Sequence, residues 1–376
     1  RGIVAAQLHG QTSPHILLDS RMLQLTRYHR QLARRHAGRW PDPGQTPDAQ
    51  MLPPLAIAGF LGMQTRSNHV FTLHPPQTAT YLENLYPEPH GLLSELRLYA
   101  TNEMVPPVLP LAVLTNNVEW WQTSQLLDKA SWLQRTSPGE WPDEAALRSS
   151  YAAAANQLGV LAQRAGQLPT AQNFFTQSVS LNPSNLIAVL NRDFNVSLRT
   201  GKPSASDPAK IARELLSIHQ TWPAVLARHG MPDEPSFCLA LGQLYHQGGL
   251  PRQAIIQFTR TTELAPTNLT ARLALAETYL KLNLADRALA VLDAARAGPD
   301  LQAALARDEA EVLRLDALVL LKQKKPAEGE QALQAARQKH PTNLALLDAL
   351  TELYLFSGRF TNALTLTETQ LKIAPN

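Results

Sequence analysis

Residues 241–266 read LGQLYHQGGLPRQAIIQFTRTTELAP, and this stretch decides the architecture of the second half of the chain. It predicts two short helices that close on each other. Leu241, Gly242 and Tyr245 fall on one face of the first, Ala254 and Phe258 on one face of the second, and Pro266 ends the unit. Small residues stand at the expected crossing, because two helices approach within roughly 8–10 Å only where side chains are small.

The register extends in both directions. In a unit at 152–185, Leu158-Gly159 open the crossing, Ala171 and Phe175 answer it, and Pro183 closes it. The unit at 186–219 is degenerate. Val189 and Val196 sit in its first helix, and TGKPSAS precedes Asp207-Pro208, an N-cap followed by proline at the first helical position. Residues 222–229 read as an insertion before the unit at 235–268, which carries Cys238 at its fourth position. The unit at 269–302 holds Leu275, Ala276, Tyr279 and Ala288 in register, and 300–309 then lengthen the next helix. The unit at 310–343 holds Leu313, Ala317, Leu320, Gly329, Leu333, Ala336 and Pro341. The last, 344–376, holds Leu347, Tyr354, Ala363 and Pro375. It departs at Thr367, where a large apolar residue is expected, so its second helix should pack less firmly.

This pattern resembles the tetratricopeptide repeat, a family of helix–turn–helix units of about 34 residues. The resemblance implies a mainly α fold: a right-handed α-solenoid over 148–376, stabilised by stacking because no single unit buries its own apolar face. It also implies a ligand groove on the concave wall built from each unit's first helix. The positions that would line it include Asn156, Gln163 and Arg164, then Gln243, His246 and Gln247, then Glu277 and Lys281, then Arg314 and Lys322, then Glu352 and Phe356. That wall is mixed in charge. The Lys/Asn pattern with which some chaperone-binding members clamp a C-terminal carboxylate is absent, so a chaperone-tail receptor is not expected. The implied partner is an extended peptide or a protein domain. The alternative is a groove filled by the chain's own N-terminal part.

Composition narrows the remaining classes. A chain of 376 residues exceeds one ordinary core, and 44% hydrophobic with 17% charged residues fits a globular protein. A net charge of +3, not gathered into a stripe, gives no nucleic-acid footprint. The single cysteine, Cys238, excludes an intrachain disulfide and any multi-cysteine metal site. Its apolar surroundings favour a buried inert thiol over a nucleophile. The longest apolar runs, 51–63 and 105–114, are too short to span a bilayer and contain proline, so no membrane span is expected in this chain. Arg1 follows no initiator Met and starts no signal-peptide pattern, which reads as a fragment or processed product.

Residues 1–103 predict a small α/β domain. The expected order is a strand at 15–19, a helix at 22–36, a loop at 38–50, a helix at 55–61, a strand at 68–73, a short helix at 79–86 and a strand at 90–99. An all-helical cap for the solenoid is the alternative. HILLDSRMLQLTRYHRQLARRH and LAIAGFLGMQTRSNHVFTLHPPQTATYLENLYPEPHGLLSELRLYA carry a second resemblance, over about residues 15–100. They look like the soluble region that follows the membrane helices of C-superfamily glycosyltransferase-like proteins, which include an animal protein O-mannosyltransferase. The pattern departs at Asn68-His69, where Arg-Pro is expected, with Arg66 nearby but out of register. No catalytic residue carries over, since that family's catalytic acid would lie in a membrane part. Residues 104–147 read as a linker, rich in proline at 106, 107 and 110, and a packing helix over 116–135. Trp120 and Trp121 in that helix read as packing residues, with a membrane interface or sugar platform as the alternatives.

No reaction is legible. His69 and His74, five apart on an expected strand, would point to opposite faces, and His9, His15, His29, His36 and His90 have no ligand spacing, so no metal and no cofactor are expected. GKPS at 201–204 lacks the upstream glycine of a phosphate loop. Asp143-Glu144 and Asp308-Glu309 read as helix-start carboxylates, and Asn195 and Asn268 head two sequons inside repeats. The resulting expectation is a non-catalytic protein-interaction scaffold. By resemblance it is the extracytoplasmic C-terminal part of a membrane glycosyltransferase-like protein that holds an acceptor polypeptide or assembly partner. An independent soluble scaffold, then cytoplasmic, is the alternative, and a hydrolase hidden in the α/β part is the third reading.

Overall fold

A computed structural model describes residues 16, 18–19, 22–72, 79–123 and 144–374. The chain divides into two compact units, one of residues 1–103 and 109–132, the other of residues 104–108 and 133–376.

In the first unit, α1 (Thr26–Arg35) and α2 (Pro54–Gln64) precede β1 (Phe71–Thr72), β2 (Leu85–His90) and β3 (Leu93–Leu98), and α3 (Leu111–Thr123) follows. The core is made of Leu23, Leu32, Trp40, Leu52, Ile57, Ala58, Leu61, Tyr81, Leu85 and Leu96. His29 is fully buried in it: Trp40 donates to its Nδ1 at 3.3 Å, so its Nε2–H donates to the Leu23 carbonyl at 2.6 Å. Burial holds its pKa below the ordinary value, as expected of a satisfied core histidine.

The sheet is antiparallel throughout, in the order β1-β3-β2. It differs from the expected strands in instructive ways. Ile16, Leu18 and Asp19 lie outside any strand. The expected strand at 68–73 shrinks to Phe71–Thr72 at its described residues, and the expected helix at 79–86 to one 3-10 turn, Tyr81–Glu83. Residues 85–98 form a hairpin where a single strand at 90–99 was expected. Pro87 and Pro89 hide β2 from a propensity reading, but β2 is an edge strand, and prolines two apart share the side that faces away from β3. The two-residue turn starts at Gly91, φ 66°, the left-handed start of a type II′ hairpin turn. α3 clamps this turn. Asn117 Oδ1 accepts from Gly91 N at 2.7 Å, Asn117 Nδ2 donates to Pro89 O at 2.9 Å, and the Trp120 ring lies where a Cβ on Gly91 would stand. Trp121 is buried and meets Trp120 edge-on. Both tryptophans therefore pack within their own unit.

The second unit is a run of helix pairs: α4 (Glu144–Arg164) with α5 (Leu168–Leu181), α6 (Leu186–Thr200) with α7 (Pro208–His219), α9 (Pro235–Gln247) with α10 (Pro251–Leu264), α11 (Leu269–Lys281) with α12 (Ala285–Ala297), α14 (Glu309–Lys322) with α15 (Pro326–Lys339), and α16 (Leu344–Phe356) with α17 (Phe360–Ile373). α8 (Trp222–His229) and α13 (Gln302–Arg307) are insertions. Local sequence dictates the punctuation. Pro183, Pro266 and Pro341 each stand two residues before an asparagine, and Asn185, Asn268 and Asn343 each cap the next helix by accepting a backbone N–H at 3.0–3.1 Å. Asp207 caps α7 as its sequence predicts.

The crossing is equally local in origin. A Cβ on Gly159 would meet the Phe175 ring at 2.5 Å, and one on Gly242 would meet the Phe258 ring at 2.5 Å. Each ring occupies the space a Cβ would need, so the glycine and the phenylalanine are one packing device used twice. Ala171, Ala254, Ala276, Ala288 and Ala317 are fully buried at the other close approaches. α17 is the loose member. Ala363 and Leu366 are buried, Thr367 is exposed and bonds back to Ala363 O, and Phe360, Leu364 and Leu371 are 67%, 62% and 54% exposed. Asp143, Pro375 and the second half of the helix expected at 116–135 lie outside the described residues.

Candidate peptide-binding groove

Within α4–α6 and within α9–α16, the first helices of successive pairs lie side by side, and polar side chains bond from one helix to the next. Asn191 on α6 donates to Asn156 Oδ1 on α4 at 2.9 Å, and Asn195 donates to Gln163 Oε1 at 2.9 Å. On the later pairs, His246 of α9 meets Thr278 Oγ1 of α11 at 2.7 Å, and Arg314 of α14 reaches Glu277 of α11 at 3.3 Å. These bonds tie α4 to α6, and α9 to α11 and α14, and the expected groove residues fall on these two sets of helices in two states.

The α4–α6 half is occupied by the chain itself. The segment 229–233, between α8 and α9, is read by a ladder of amides. Asn185 donates to His229 O at 3.1 Å, Asn156 and Asn191 donate to Met231 O at 2.9 and 3.0 Å, and Gln163 donates to Asp233 O at 3.0 Å. Asn191 Oδ1 accepts from Asp233 N at 2.8 Å. Gly230, φ 84°, passes so close that a Cβ would lie 2.9 Å from Asn156 Nδ2. The Asp233 carboxylate is completely buried and salt-bridged to Arg164 Nε at 2.9 Å and Arg260 NH2 at 2.6 Å, with Gln163 Nε2 donating at 2.9 Å. Burial alone would raise its pKa, but the two guanidiniums overcome that and hold it below the ordinary carboxylate value. Asn156, Gln163 and Arg164 therefore do not line an open groove, as expected from the sequence. They grip the segment that joins the insertion α8 to α9.

The sequence reading missed Asn191, Asn195, Asp233 and Arg260. The available signal was asparagine on an apolar helix: Asn185, Asn191 and Asn195 are fully buried among Ile187, Ala188 and Leu190. α8 is joined to this half by a histidine pair, His219 Nε2 to His229 Nε2 at 2.9 Å, in which one ring must donate and the other accept. Burial first, then His219 and Arg228, push the His229 pKa down to about 4. Cys238 is fully buried beside Asp233, and burial raises its pKa, so it is no nucleophile. Asn195, buried, is no glycan acceptor, and Asn268 is spent as a cap.

The α9–α16 half carries a row of charged groups of unequal exposure: Lys281 is exposed, Glu277 partly so, and Arg314 mostly covered. His246 sits between Lys281, which donates to its Nε2, and Thr278, which accepts from its Nδ1–H. Burial and Lys281 hold its pKa below the ordinary value against the opposing pull of Glu277. Glu277 in turn meets Arg314, which is anchored on Glu311 at 2.6 Å. Lys322 reaches Asn283 Oδ1 at 2.8 Å. Gln243, Gln247 and Glu352 are exposed, and Phe356 is 92% exposed. The structure thus brings His246, Glu277, Lys281 and Arg314 into one network and leaves Gln243, Gln247, Glu352 and Phe356 facing water.

One cluster contradicts the expectation that the histidines have no ligand geometry. The hairpin sets Glu88, His90 and Glu95 together on the first unit's sheet, with ligand atoms all within 4.8 Å of one another, and His69 Nδ1 bonds Glu95 Oε1 at 2.5 Å. Linear spacing could not show this, because cross-strand pairing makes it.

Helix pairing, caps and crossings define the second unit as an α-solenoid of the tetratricopeptide type. Among solved structures, the chain is similar to a tetratricopeptide repeat protein from Parabacteroides merdae, with 15% identity over 70% of this chain and 79% of that one, TM-score 0.31. YrrB, described as a TPR protein with an unusual peptide-binding site, is 17% identical over 52% of this chain and 89% of its own, TM-score 0.30. Yeast Tom70 is 15% identical over 70% of this chain and 56% of its own, TM-score 0.23. No family model and no curated protein matches the chain. Among the described residues, no helix is long and apolar enough to cross a membrane.

Proposed function

We propose that the wall of α9, α11, α14 and α16 binds an extended polypeptide of mixed charge. One observation carries this reading. The first helices α4 and α6 already hold a segment, 229–233, by its backbone and by one carboxylate. The first helices among α9–α16 carry a comparable polar row, with His246 and Arg314 mostly covered, Glu277 partly exposed and Lys281 exposed, flanked by exposed Gln243, Gln247 and Glu352. A bound peptide would exchange the solvation of the exposed groups for backbone and side-chain partners, with Phe356 offering an apolar contact. The test is photo-crosslinking from Gln243, Gln247 or Glu352 compared with the back-side position Arg213. Equal crosslinking from both faces, or an unchanged set of crosslinked peptides in Arg314→Glu, refutes the wall as the site.

The finer reading, an extracytoplasmic C-terminal part of a membrane glycosyltransferase-like protein that presents an acceptor polypeptide, rests on the resemblance over about residues 15–100. The discriminating observation is the reading frame upstream of Arg1. Many hydrophobic spans with an acidic residue in the first external loop support that reading. A start codon or a lipoprotein signal immediately upstream sinks it, leaving the independent scaffold.

A further inference from the structure

The first unit's sheet collects a set of metal-type donors that the scaffold reading does not use. Glu88 and His90 are two apart on β2 and so share a face. Glu95 on β3 is the register partner of Glu88. β1 pairs Phe71 with Glu95, which brings His69, two residues upstream, over the same carboxylate. Glu95 is buried, His90 and His69 are exposed on the rim, and Phe71 meets the His90 ring edge-on.

We propose that Glu88, His90 and Glu95 bind a divalent transition metal ion of the zinc class, with His69 orienting Glu95 and Arg97 as the side chain the ion displaces.

The separations carry the argument. His90 Nε2 lies 3.5 Å from Glu88 Oε1 and 3.4 Å from Glu95 Oε2. A good N–H···O bond would be shorter, about 2.9 Å. Bond lengths of about 2.0–2.1 Å to zinc place neighbouring tetrahedral ligands about 3.3–3.4 Å apart. His90 thus sits at the edge length of a tetrahedral site from each carboxylate, and all three ligand atoms lie within 4.8 Å of one another. One imidazole and two carboxylates suit zinc, and the fourth position opens to solvent. His69 Nδ1 on the far oxygen of Glu95 fixes that carboxylate from behind, the usual part of an outer-shell partner.

Arg97 is the competing cation. Its NH2 sits 2.9 Å from Glu88 Oε1 and 2.9 Å from Glu95 Oε2, bridging the two carboxylates that would hold the ion. Its Nε, however, is buried with no hydrogen-bond partner, and the side chain is 42% exposed. Swinging out costs Arg97 its ion pairs to the largely covered Glu88 and Glu95, which the incoming ion replaces, and returns the orphaned Nε to water. Net charge favours the exchange as well, because two carboxylates facing one monocation accept a dication in its place.

The test is calorimetric titration of Zn2+ into the metal-free full chain at pH 7.5. One equivalent should bind. His90→Ala and Glu88→Gln should each weaken that step at least tenfold, and Arg97→Gln should strengthen it. Co2+ in the same site should develop the strong visible bands of a tetrahedral centre, lost in His90→Ala. Circular dichroism checks that each variant is folded, and Glu88→Gln, on the rim, stands in if His90→Ala is not. Absence of a one-equivalent step in the wild-type chain overturns the proposal. So does a step left unchanged by His90→Ala and Glu88→Gln, which would place the ion on other histidines such as His219 and His229.

Discussion

Asp233→Asn is the sharpest probe of the self-bound half of the wall. The change keeps shape and one oxygen but removes the charge that Arg260 and Arg164 share. Arg260 loses a carboxylate partner that meets both its Nε, at 2.9 Å, and its NH2, at 2.6 Å, and its side chain is only 10% exposed. Glu263 remains to it, but that carboxylate is 55% exposed and screened. Arg164 is 26% exposed and rehydrates more easily. Breaking a buried pair by removing one partner costs about 3–5 kcal/mol, and Arg260 makes this a case of that kind. The nearby thiol is the reporter. Cys238 is the only cysteine and is fully buried on α9, so it reacts with a thiol reagent only when α9 opens. A loss of about 3 kcal/mol raises the labelling rate roughly a hundredfold under rapid reclosing. The double variant Asp233→Leu with Arg260→Met should recover part of the loss, since it replaces the more buried pair by apolar side chains but leaves Arg164 and Gln163 without the carboxylate. An acceleration under about fivefold in Asp233→Asn refutes the claim that this carboxylate locks the segment. The sign with pH is fixed by the depressed carboxylate. Its contribution is present above the unfolded value of about 3.9 and is lost as pH falls through the lower folded value.

Three further outcomes follow from the packing and titration. Gly242→Ala drives a Cβ to 2.5 Å from a Phe258 ring that is 1% exposed and has no room to retreat, so denaturant unfolding should show a loss of about 1–3 kcal/mol, and Ala254→Leu a similar one. Wild-type unfolding in either variant counts against the crossing. Gly91→Ala puts a side chain on a left-handed residue and 2.7 Å from Trp120, and should destabilise the first unit by about 1–3 kcal/mol in hydrogen exchange of β2 and β3. His229, with its pKa near 4 against about 6.5 unfolded, binds its proton less readily when folded. Stability is therefore full above about pH 6.5 and falls as pH drops toward 4, by roughly 3 kcal/mol, and His229→Phe should flatten that slope in a thermal-melt series.

The repeats were legible because their causes are local. Gly242 and Phe258, or Pro266 and Asn268, act within one unit, so period and residue type disclose them. The occupied wall was not legible for the opposite reason. Asn156 bonds Met231 across 75 positions, and nothing in either stretch alone names the other. The sheet was misjudged where a strand's position overrode its composition. Proline argues against a strand in general, yet on the free edge of β2 no ladder donor is missed at Pro87 or Pro89. The metal-type cluster follows from that same hairpin, since its donors converge only once Glu88 is set opposite Glu95.

The two halves of the wall differ in their balance of charge, and that difference bears on function. In the α4–α6 half, a buried carboxylate meets two guanidiniums, and an amide ladder satisfies the backbone of 229–233. A competing peptide would have to break several buried bonds at once, so this half acts as a staple that sets α9 against α4 and α6. In the α9–α16 half, the acids are the solvated partners: Glu277 is 34% and Glu311 33% exposed, while Arg314 is 13% and His246 14% exposed, and His246 meets Glu277 only at 3.9 Å. Arg314 is thus more covered than Arg164, at 26%, but the carboxylates it meets are screened where Asp233 is not. If α9–α16 hold the peptide, Arg314→Glu should therefore cost binding with a smaller loss of stability than Arg164→Glu, because the carboxylates left behind are solvated in one case and buried in the other.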